Sequence, residues 1–421
     1  EGRLQDAIVI LRRVTGAESG RADAFMARAQ VARELGLLDE AAFSLDVARQ
    51  LRPDSIEIAH NLGAIYGAAG ELPKARSCYE DAIKRQPDFF PSYLNLGNVR
   101  RTQGDLAGAQ SAYEQALQLK PDSAKAHGNL ANLLKLQGVL ALAEEHFQRA
   151  AELDPADTRW WFGIGATMHD LGRLDEAIAI YHRILERTPR DEKARLNLAY
   201  ALLGKGDFAR GWPGTEIRFE LSEGAVKPHA CPAPRWSGET VSDGALLVWG
   251  EQGVADEILF AGMYSELQHR AKNVILECRP KLQPLFARSF PWALVIPKRE
   301  PADERSIVDV RYQSPAASLG SVLRPNLVSF PSRRRYLFAD DLRVDRWRAR
   351  LAALGPGLKV GFSWRSSKKP GERSLSCSRI EHWEALFRLP GIHWICLQYD
   401  DCEPELALAR DRFAVELHRF D

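Results

Sequence analysis

Three carboxylates stand at the end of an apolar run in residues 246–264, which read LLVWGEQGVADEILFAGMY. Glu251, Asp256 and Glu257 follow a stretch typical of a buried strand and precede a segment with helical periodicity. A carboxylate at such a turn can deprotonate an acceptor hydroxyl while a phosphate leaving group is stabilised across a cleft. Alternatively, Asp256 or Glu257 caps the helix and interacts with its dipole, the commoner role of acidic residues there.

The elements around this turn predict a parallel sheet. Apolar runs alternate with helical patterns: ALLVW, a helix from about 256, NVILEC, a helix from Pro280, ALVIP and SIVDV. This alternation is typical of βαβ units, and open parallel sheets bind ligands where the strands end and helices begin. Gly253 permits a tight turn at such a place, so Asp256 can point into a cleft.

A second set of strands and helices follows the segment FADDLRVDRWRARLAALGPG. It comprises LKVGFSW, a helix from about Ser378 to Leu389, IHWICLQ, a helix near 403–411 and FAVELHRF. Two sets predict two Rossmann-like lobes with a cleft between them. The second set has only 64 residues, about half of an ordinary doubly wound lobe, so we expect this lobe to be incomplete.

A basic, hydroxyl-rich loop follows the strand KVGFSW of the second set. Its cations and hydroxyls could hold a donor diphosphate without a metal ion, or they could form an ordinary solvated turn. The candidate phosphate-binding residues are Ser363, Arg365, Ser366, Lys368, Lys369, Arg373 and Ser374.

The first half of the chain repeats every 34 residues. Prolines recur at 53, 87, 121, 155 and 189, and glycines recur at 2, 36, 70, 104, 138, 172 and 206. This period, with small and aromatic residues in constant register, predicts tetratricopeptide repeats, which are pairs of antiparallel helices stacked into a superhelix. We count five complete repeats between residues 22 and 191, with partial repeats on either side.

Asparagines recur on the first helix of the repeats, which lines the inner groove of such arrays. Carboxamides both donate and accept hydrogen bonds, so a column of them could hold the backbone of an extended peptide. Alternatively, these side chains bond within the array. The candidate groove residues are Asn61, Asn95, Asn98, Asn129, Asn132 and Asn197.

Composition excludes several other function classes. The net charge of +1 produces no electrostatic field that would attract nucleic acid or anionic lipid. No apolar stretch approaches the roughly 20 residues of a membrane span. The six cysteines show no C-x-x-C pair, which suits reduced thiols in the cytoplasm. The histidines show no metal-ligand spacing, and neither phosphate-binding glycine motif is present. We therefore expect a cytoplasmic protein without a metal site.

Composition shifts place the boundaries. We expect a repeat superhelix in residues 1–210 and a proline-rich linker in 211–242. A first Rossmann-like lobe then occupies 243–338, an interlobe linker 339–357 and the partial second lobe 358–421.

Several stretches resemble bacterial proteins that join tetratricopeptide repeats to a GT-B glycosyltransferase module. They are VWGEQGVADEILFAGMY, EIRFE, PRWSGE and VGFSWRSS with a later RS. The module is similar to heptosyltransferases and, more distantly, to O-linked N-acetylglucosamine transferases, which also carry an asparagine-lined array. The resemblance implies that Asp256 is the general base and that the donor side needs no metal. Ala255 stands where that family usually has glycine.

On this resemblance the acceptor side of the cleft is shaped by Glu251, Gln252, Gly253 and Glu257. The implied function is transfer from a nucleotide sugar, the co-substrate, to a protein acceptor that the array recruits or orients, without a further cofactor. The alternative is a non-catalytic interaction scaffold with a degenerate Rossmann module, which Ala255 and the incomplete second lobe favour. The related second lobes carry a donor-nucleotide motif that is missing before Asp421, so we expect a truncated chain with little transferase activity by itself.

Overall fold

The computed structural model describes residues 2–222, 226–251, 253–299, 309–332, 335–364, 378–398 and 400–420. The chain divides into two compact units, one built on residues 2–167 and the other on residues 168–363 and 380–420. The predicted domain boundaries do not coincide with this division and remain a prediction.

The first unit consists of helices in a regular alternation. Turns between them contain glycines at positive φ, such as Gly36 at 75° and Gly104 at 81°, a conformation that glycine adopts without strain. The helices are α1 (Gly2–Ala17), α2 (Ala22–Glu34), α3 (Leu38–Leu51), α4 (Ile56–Ala68), α5 (Leu72–Arg85), α6 (Phe90–Thr102), α7 (Leu106–Leu119), α8 (Ala124–Leu136), α9 (Leu140–Leu153) and α10 (Thr158–Asp170), which continues into the second unit.

Glycines on the first helix of a repeat make room for large aromatic side chains. A Cβ added at Gly128 would overlap the ring of Trp160, and one added at Gly97 would overlap the ring of Tyr113. Both rings are buried, with 4% and 0% of the residue exposed, so neither can move into solvent. This fit between small and large residues explains why the array keeps one register.

Gly128→Ala should destabilise the first unit, whereas Gly67→Ala should stabilise it. Alanine at 128 overpacks the Trp160 site, which costs about 1–3 kcal/mol. A Cβ at Gly67 meets only the Cβ of Ala75 at 4.0 Å, so the higher helix propensity of alanine dominates, at up to about 1 kcal/mol. Urea unfolding followed by far-ultraviolet circular dichroism measures both changes. Two shifts of the same sign would contradict the packing argument.

The second unit begins with α11 (Leu174–Arg187), α12 (Glu192–Lys205) and α13 (Phe208–Thr215), followed by a 3-10 turn at Glu216–Phe219. A four-stranded parallel sheet follows, in the order β3-β2-β1-β4. Its strands are β1 (Val241–Trp249), β2 (Ala271–Cys278), β3 (Leu294–Pro297) and β4 (Val310–Pro315), with helices α14 (Val254–Phe260), α15 (Gln283–Ser289) and α16 (Leu319–Leu323) between and after them.

Both faces of strand β1 are buried. Leu246 and Val248 join a core with Tyr264 and Phe286 on one face. On the other face, a smaller cluster contains Ala245, Leu247, Trp249 and Ile275, with Phe219 and Cys231 packed against it. Burial on both faces is the usual condition of parallel strands and explains the continuous apolar run in the sequence.

A second parallel sheet has the order β5-β6-β7. It comprises β5 (Leu358–Phe362), β6 (Ile392–Cys396) and β7 (Leu417–Arg419), accompanied by α18 (Glu384–Phe387) and α19 (Glu403–Phe413). The predicted helical array followed by parallel sheets is therefore confirmed. No helix in the described part of the chain is long and apolar enough to cross a membrane.

Three local expectations differ from the structure. The helix expected from Ser378 to Leu389 is a 3-10 turn at Ile380–Trp383 followed by the single turn α18. The segment expected as an interlobe linker, 339–357, contains the helix α17 (Asp341–Ala352), which starts at an N-cap bond from the Arg343 N–H to the Asp340 carboxylate, 2.9 Å. The strand expected in SIVDV begins only at Val310, and residues 306–308 lie outside the described residues.

Candidate functional site

The order of the first sheet places a topological switch point beside β1. From β1 the chain proceeds to β2 and β3 on one side and returns to β4 on the other side. Open parallel sheets bind ligands in the crevice at the carboxyl ends of such strands. Here the carboxyl ends of β1 and β4 are followed by two loops, which contain residues 250, 251 and 253 and residues 316–318. We call these loops, together with the described residues up to 257, the β1 corner.

Glu251 ties the two loops of the β1 corner together. Its carboxylate accepts hydrogen bonds from Arg218 Nε at 2.7 Å and Nη2 at 3.1 Å, and one from the Ala317 N–H at 3.0 Å. The Glu251 side chain is 1% exposed and that of Arg218 is 4% exposed. Both oxygens of Glu251 are thus engaged, and this residue fixes the shape of the corner.

Arg218 extends this network to the 3-10 turn at Glu216–Phe219. Its guanidinium also donates to the carboxylate of Glu216 at 3.0 Å and to the Ser318 hydroxyl at 2.8 Å. It lies 4.3 Å from the centre of the Phe219 ring, a cation–π contact. A buried guanidinium with this many acceptors is fully paired, as burial of a charge requires.

Glu257 connects α14 to the end of β2. It is 2% exposed, accepts a hydrogen bond from the Arg279 N–H at 3.0 Å and lies 3.2 Å from Arg279 Nε. Burial raises the pKa of this carboxyl group above its ordinary value. A Cβ at Gly250 would overlap the Glu257 carboxylate, so only glycine fits there.

Asp256 has the helix-capping role that its sequence position predicted as one alternative. One carboxylate oxygen, Oδ2, accepts a hydrogen bond from the Gly253 N–H at 2.9 Å and closes the first turn of α14. The residue is partly exposed, and Oδ1 has no hydrogen-bond partner among the residues that the structure describes. Asp256 is therefore the carboxylate of the three with an oxygen available to a ligand. The predicted acceptor-side residue Gln252 lies outside the described residues.

Ser363 is the described member of the predicted donor loop, directly after β5. Its hydroxyl donates to Gln398 Oε1 at 2.9 Å, and the Gln398 amide donates to Asp400 at 2.7 Å. Gln398 follows β6, so these contacts connect the carboxyl ends of β5 and β6. The other predicted phosphate-binding residues lie outside the described part of the chain: Arg365, Ser366, Lys368, Lys369, Arg373 and Ser374.

The predicted groove asparagines bond largely within the array. Asn98 Oδ1 accepts from the Tyr113 hydroxyl at 2.7 Å and from Asn129 Nδ2 at 3.0 Å, which joins successive repeats. Asn132 and Asn197 donate to the backbone carbonyls of Gly128 and Lys193 in their own helices, both at 2.9 Å.

The other two predicted groove asparagines, Asn61 and Asn95, have different surroundings. Asn95 lies close to the Tyr79 hydroxyl. Asn61 lies beside Met26, Gln30 and Glu57 in a groove of about 530 Å³ between α2 and α4. The peptide-binding role of the asparagine column remains a prediction.

Sequence reasoning missed two groups beside the β1 corner. His229 Nε2 lies 3.1 Å from Glu277 Oε2, with 5% and 4% of the side chains exposed, and His229 Nδ1 accepts from the Cys231 N–H at 3.0 Å. Tyr200 on α12 is 43% exposed and lies within electrostatic reach of Arg218, Asp256 and Glu251. The separation of His229 and Glu277 in the sequence gives no indication that they are in contact. Tyr200 could have been noticed, because it lies three residues after Asn197 on the same predicted helix.

Two family models, both of the tetratricopeptide repeat, match the first half of the chain. One matches residues 1–56 and 60–109, and the other matches residues 101–163 and 168–211. Residues 1–211 form a tetratricopeptide-repeat array. The 34-residue prediction is thus confirmed, and such arrays bind protein or peptide partners.

A curated relative extends beyond the array. Protein FlbA of Caulobacter vibrioides is 32% identical over 265 residues, which are 59% of this chain and 44% of that protein. Because 59% exceeds the share of residues 1–211, the alignment includes residues from the α/β part of the chain. The chain covers less than half the length of this relative.

Two solved structures are similar to parts of the chain. The APC/C hetero-tetramer Cut9-Hcn1 is 17% identical and covers 52% of this chain and 44% of that chain, with a TM-score of 0.46. A tetratricopeptide repeat protein from Parabacteroides merdae is 21% identical and covers 50% of this chain and 81% of that chain, with a TM-score of 0.43.

Proposed function

We propose that the protein transfers a sugar from a nucleotide-sugar donor to a protein acceptor held by the tetratricopeptide array. The observation that carries this proposal is Asp256 at the switch point of the first sheet, partly exposed and with one carboxylate oxygen unoccupied by described residues. Such a reaction needs a site for the nucleotide sugar and a surface for the protein acceptor. The parallel sheets are the candidate for the first, and the tetratricopeptide array is the candidate for the second. The resemblance of the β1 corner to heptosyltransferases supports the same assignment.

In this mechanism Asp256 is the general base. Its Oδ1 takes the proton of the acceptor hydroxyl, whose oxygen attacks the anomeric carbon of the donor sugar. The bond from that carbon to the phosphate oxygen breaks, and the nucleoside diphosphate leaves with the bonding electrons. Glu251 and Glu257 hold the backbone around Asp256, which keeps the base in place during the reaction.

Ser363 and the basic loop 365–374 are proposed to hold the diphosphate, with cations and hydroxyls in place of a metal ion. The proposed donor is a nucleotide sugar, and the proposed acceptor is a hydroxyl-bearing segment of a protein.

A second candidate function is a non-catalytic scaffold that assembles partner proteins. The Gly253 N–H to Asp256 bond favours it, because a carboxylate that closes a helix turn has a sufficient structural role. Under this function the α/β part supports the array or a partner, and no sugar is transferred.

Asp256→Asn separates the two functions. The asparagine side-chain oxygen can still accept from the Gly253 N–H, so α14 should keep its first turn while the base is lost. We expect the rate of transfer to fall at least about 100-fold, the usual contribution of a general base. The measurement is nucleoside diphosphate released, and mass added to the acceptor, with a panel of UDP, GDP and dTDP sugars.

The matched control is Asp243→Asn, the same change on an exposed aspartate near the start of β1, at the far end from the corner. It should leave the transfer rate unchanged. Equal rates of sugar transfer in Asp256→Asn and the wild type would show that Asp256 is not the base. Wild-type protein that binds no nucleotide sugar of the panel would leave the scaffold as the function.

A further inference from the structure

Helix α12, the first helix of the last repeat, is bonded to residues 216–222, the segment that contacts the β1 corner through Arg218. The Ser222 N–H and hydroxyl both donate to the Glu192 carboxylate, at 2.8 and 2.9 Å, and Arg195 lies 3.9 Å from Glu220. Residues 216–222 also carry Arg218, whose guanidinium holds Glu251 in the corner. The array therefore ends in a helix attached directly to the elements around Asp256.

One side of α12 is left open. Ala194, Ala199, Ala201 and Leu202 are buried in the packing of the helix. Tyr200 is 43% exposed, and Asn197 is partly exposed one helical turn earlier. Residues three apart share a helix face, so the carboxamide and the phenol lie side by side on that open face.

Tyr200 also belongs to the surroundings of the corner. Partial burial raises the pKa of Tyr200; Arg218 acts in the opposite direction, and the carboxylates of Asp256 and Glu251 raise it further. Its hydroxyl makes no hydrogen bond to any residue that the structure describes. A phenol with an unused hydroxyl within electrostatic reach of a candidate base is available to a ligand that reaches that base.

We infer that Tyr200 is a positioning residue for the acceptor, and that the hydroxyl-bearing peptide lies across the open face of α12 with its reacting side chain at Asp256. The inference rests on the proposed function for the identity of the reaction. The Tyr200 ring provides a rigid apolar contact for the peptide, and its hydroxyl provides a hydrogen bond to the peptide backbone. Asn197 on the same face adds a second polar contact one turn away.

The test compares Tyr200→Phe and Tyr200→Ala in the full chain. A hydroxyl-bearing peptide chosen from a synthetic peptide array is the probe, and its Kd is measured by fluorescence polarisation. Tyr200→Ala should raise the peptide Kd and the acceptor KM about tenfold or more, because it removes an aromatic contact. Tyr200→Phe should raise both about threefold to tenfold, because it removes only the hydrogen bond. The donor KM and kcat should stay within about twofold of the wild type, since a positioning residue acts on acceptor binding.

Phe43→Ala is the control, an exposed aromatic on α3 in the other unit, with 56% of the residue exposed. It should leave the peptide Kd unchanged. An unchanged peptide Kd in Tyr200→Ala, or failure of the wild type to bind any hydroxyl-bearing peptide, overturns the inference. Weakened peptide binding in Tyr200→Ala without any sugar transfer by the wild type supports the docking face and refutes the proposed reaction.

Discussion

Glu251→Ala is expected to lower the free energy of unfolding of the second unit by about 3–5 kcal/mol, the usual cost of breaking a buried ion pair. The substitution leaves the Arg218 guanidinium, 4% exposed, without the carboxylate that accepts from its Nε and Nη2. It also removes the acceptor of the Ala317 N–H, so the loop after β4 loses its tie to the loop after β1. Urea unfolding and hydrogen exchange of the β1 and β4 amides measure the loss.

Two controls separate the buried pair from general effects of charge removal. The double variant Arg218→Met with Glu251→Leu should recover much of the loss, because apolar replacements leave no unpaired buried charge. Arg348→Ala breaks the exposed pair with Asp345, whose side chains are 71% and 68% exposed, and should change the free energy by less than about 1 kcal/mol. A loss below about 1 kcal/mol in Glu251→Ala would mean that the network does not hold the corner.

The role of Glu251 shows what a sequence pattern can and cannot determine. The cluster of carboxylates in residues 251–257 predicted a ligand site at this turn, because parallel strands place ligand sites at their carboxyl ends, and the turn does follow β1. The division of labour among these carboxylates depends on Arg218 and Arg279, which lie 33 and 22 residues away in the chain. Such pairings follow from chain topology and leave no periodic trace, so the partners of Glu251 and Glu257 could be assigned only from the structure.

The array was the most predictable part of the fold. Its period depends on local rules repeated every 34 residues, such as the left-handed glycine in each turn and the fit of Gly97 to Tyr113. The groove asparagines show the limit of the same pattern. Their spacing placed them on the first helices, but the bond between Asn98 and Asn129 depends on how successive repeats stack.

Helix α17 was missed because it has no buried apolar face. Residues 341–352 contain four arginines and two aspartates, and the structure buries none of the residues of this helix. Helices are recognised in sequence mainly by a buried apolar stripe, which a helix without buried residues need not have. Its N-cap Asp340 and the exposed Trp347 were the available signals, and neither is specific.

Trp249→Ala is expected to cost about 3–5 kcal/mol, because it empties a large buried site at the end of β1. Trp249 is 1% exposed, and its indole N–H donates to Gln313 Oε1 at 2.7 Å, so the variant also leaves a buried amide oxygen without its donor. The ring lies 6.1 Å from that of Phe219 and 5.6 Å from that of His229. We therefore expect faster hydrogen exchange in residues 226–236 as well as in β1.

Trp347→Ala is the control for this substitution, since 39% of Trp347 is exposed; it should cost less than half as much. Trp249→Phe keeps an aromatic ring against Phe219 but loses the donor to Gln313, so its cost should fall between the two alanine variants. If Trp249→Ala left exchange in residues 226–236 unchanged, other contacts, such as the backbone hydrogen bonds of Pro234 and Trp236 with Gln313 and the His229 contact with Glu277, would be sufficient to hold that segment. Residues 226–236 and the β1 corner would then be stabilised independently of each other. A substitution that destabilises one of them could therefore be studied while the other stays folded.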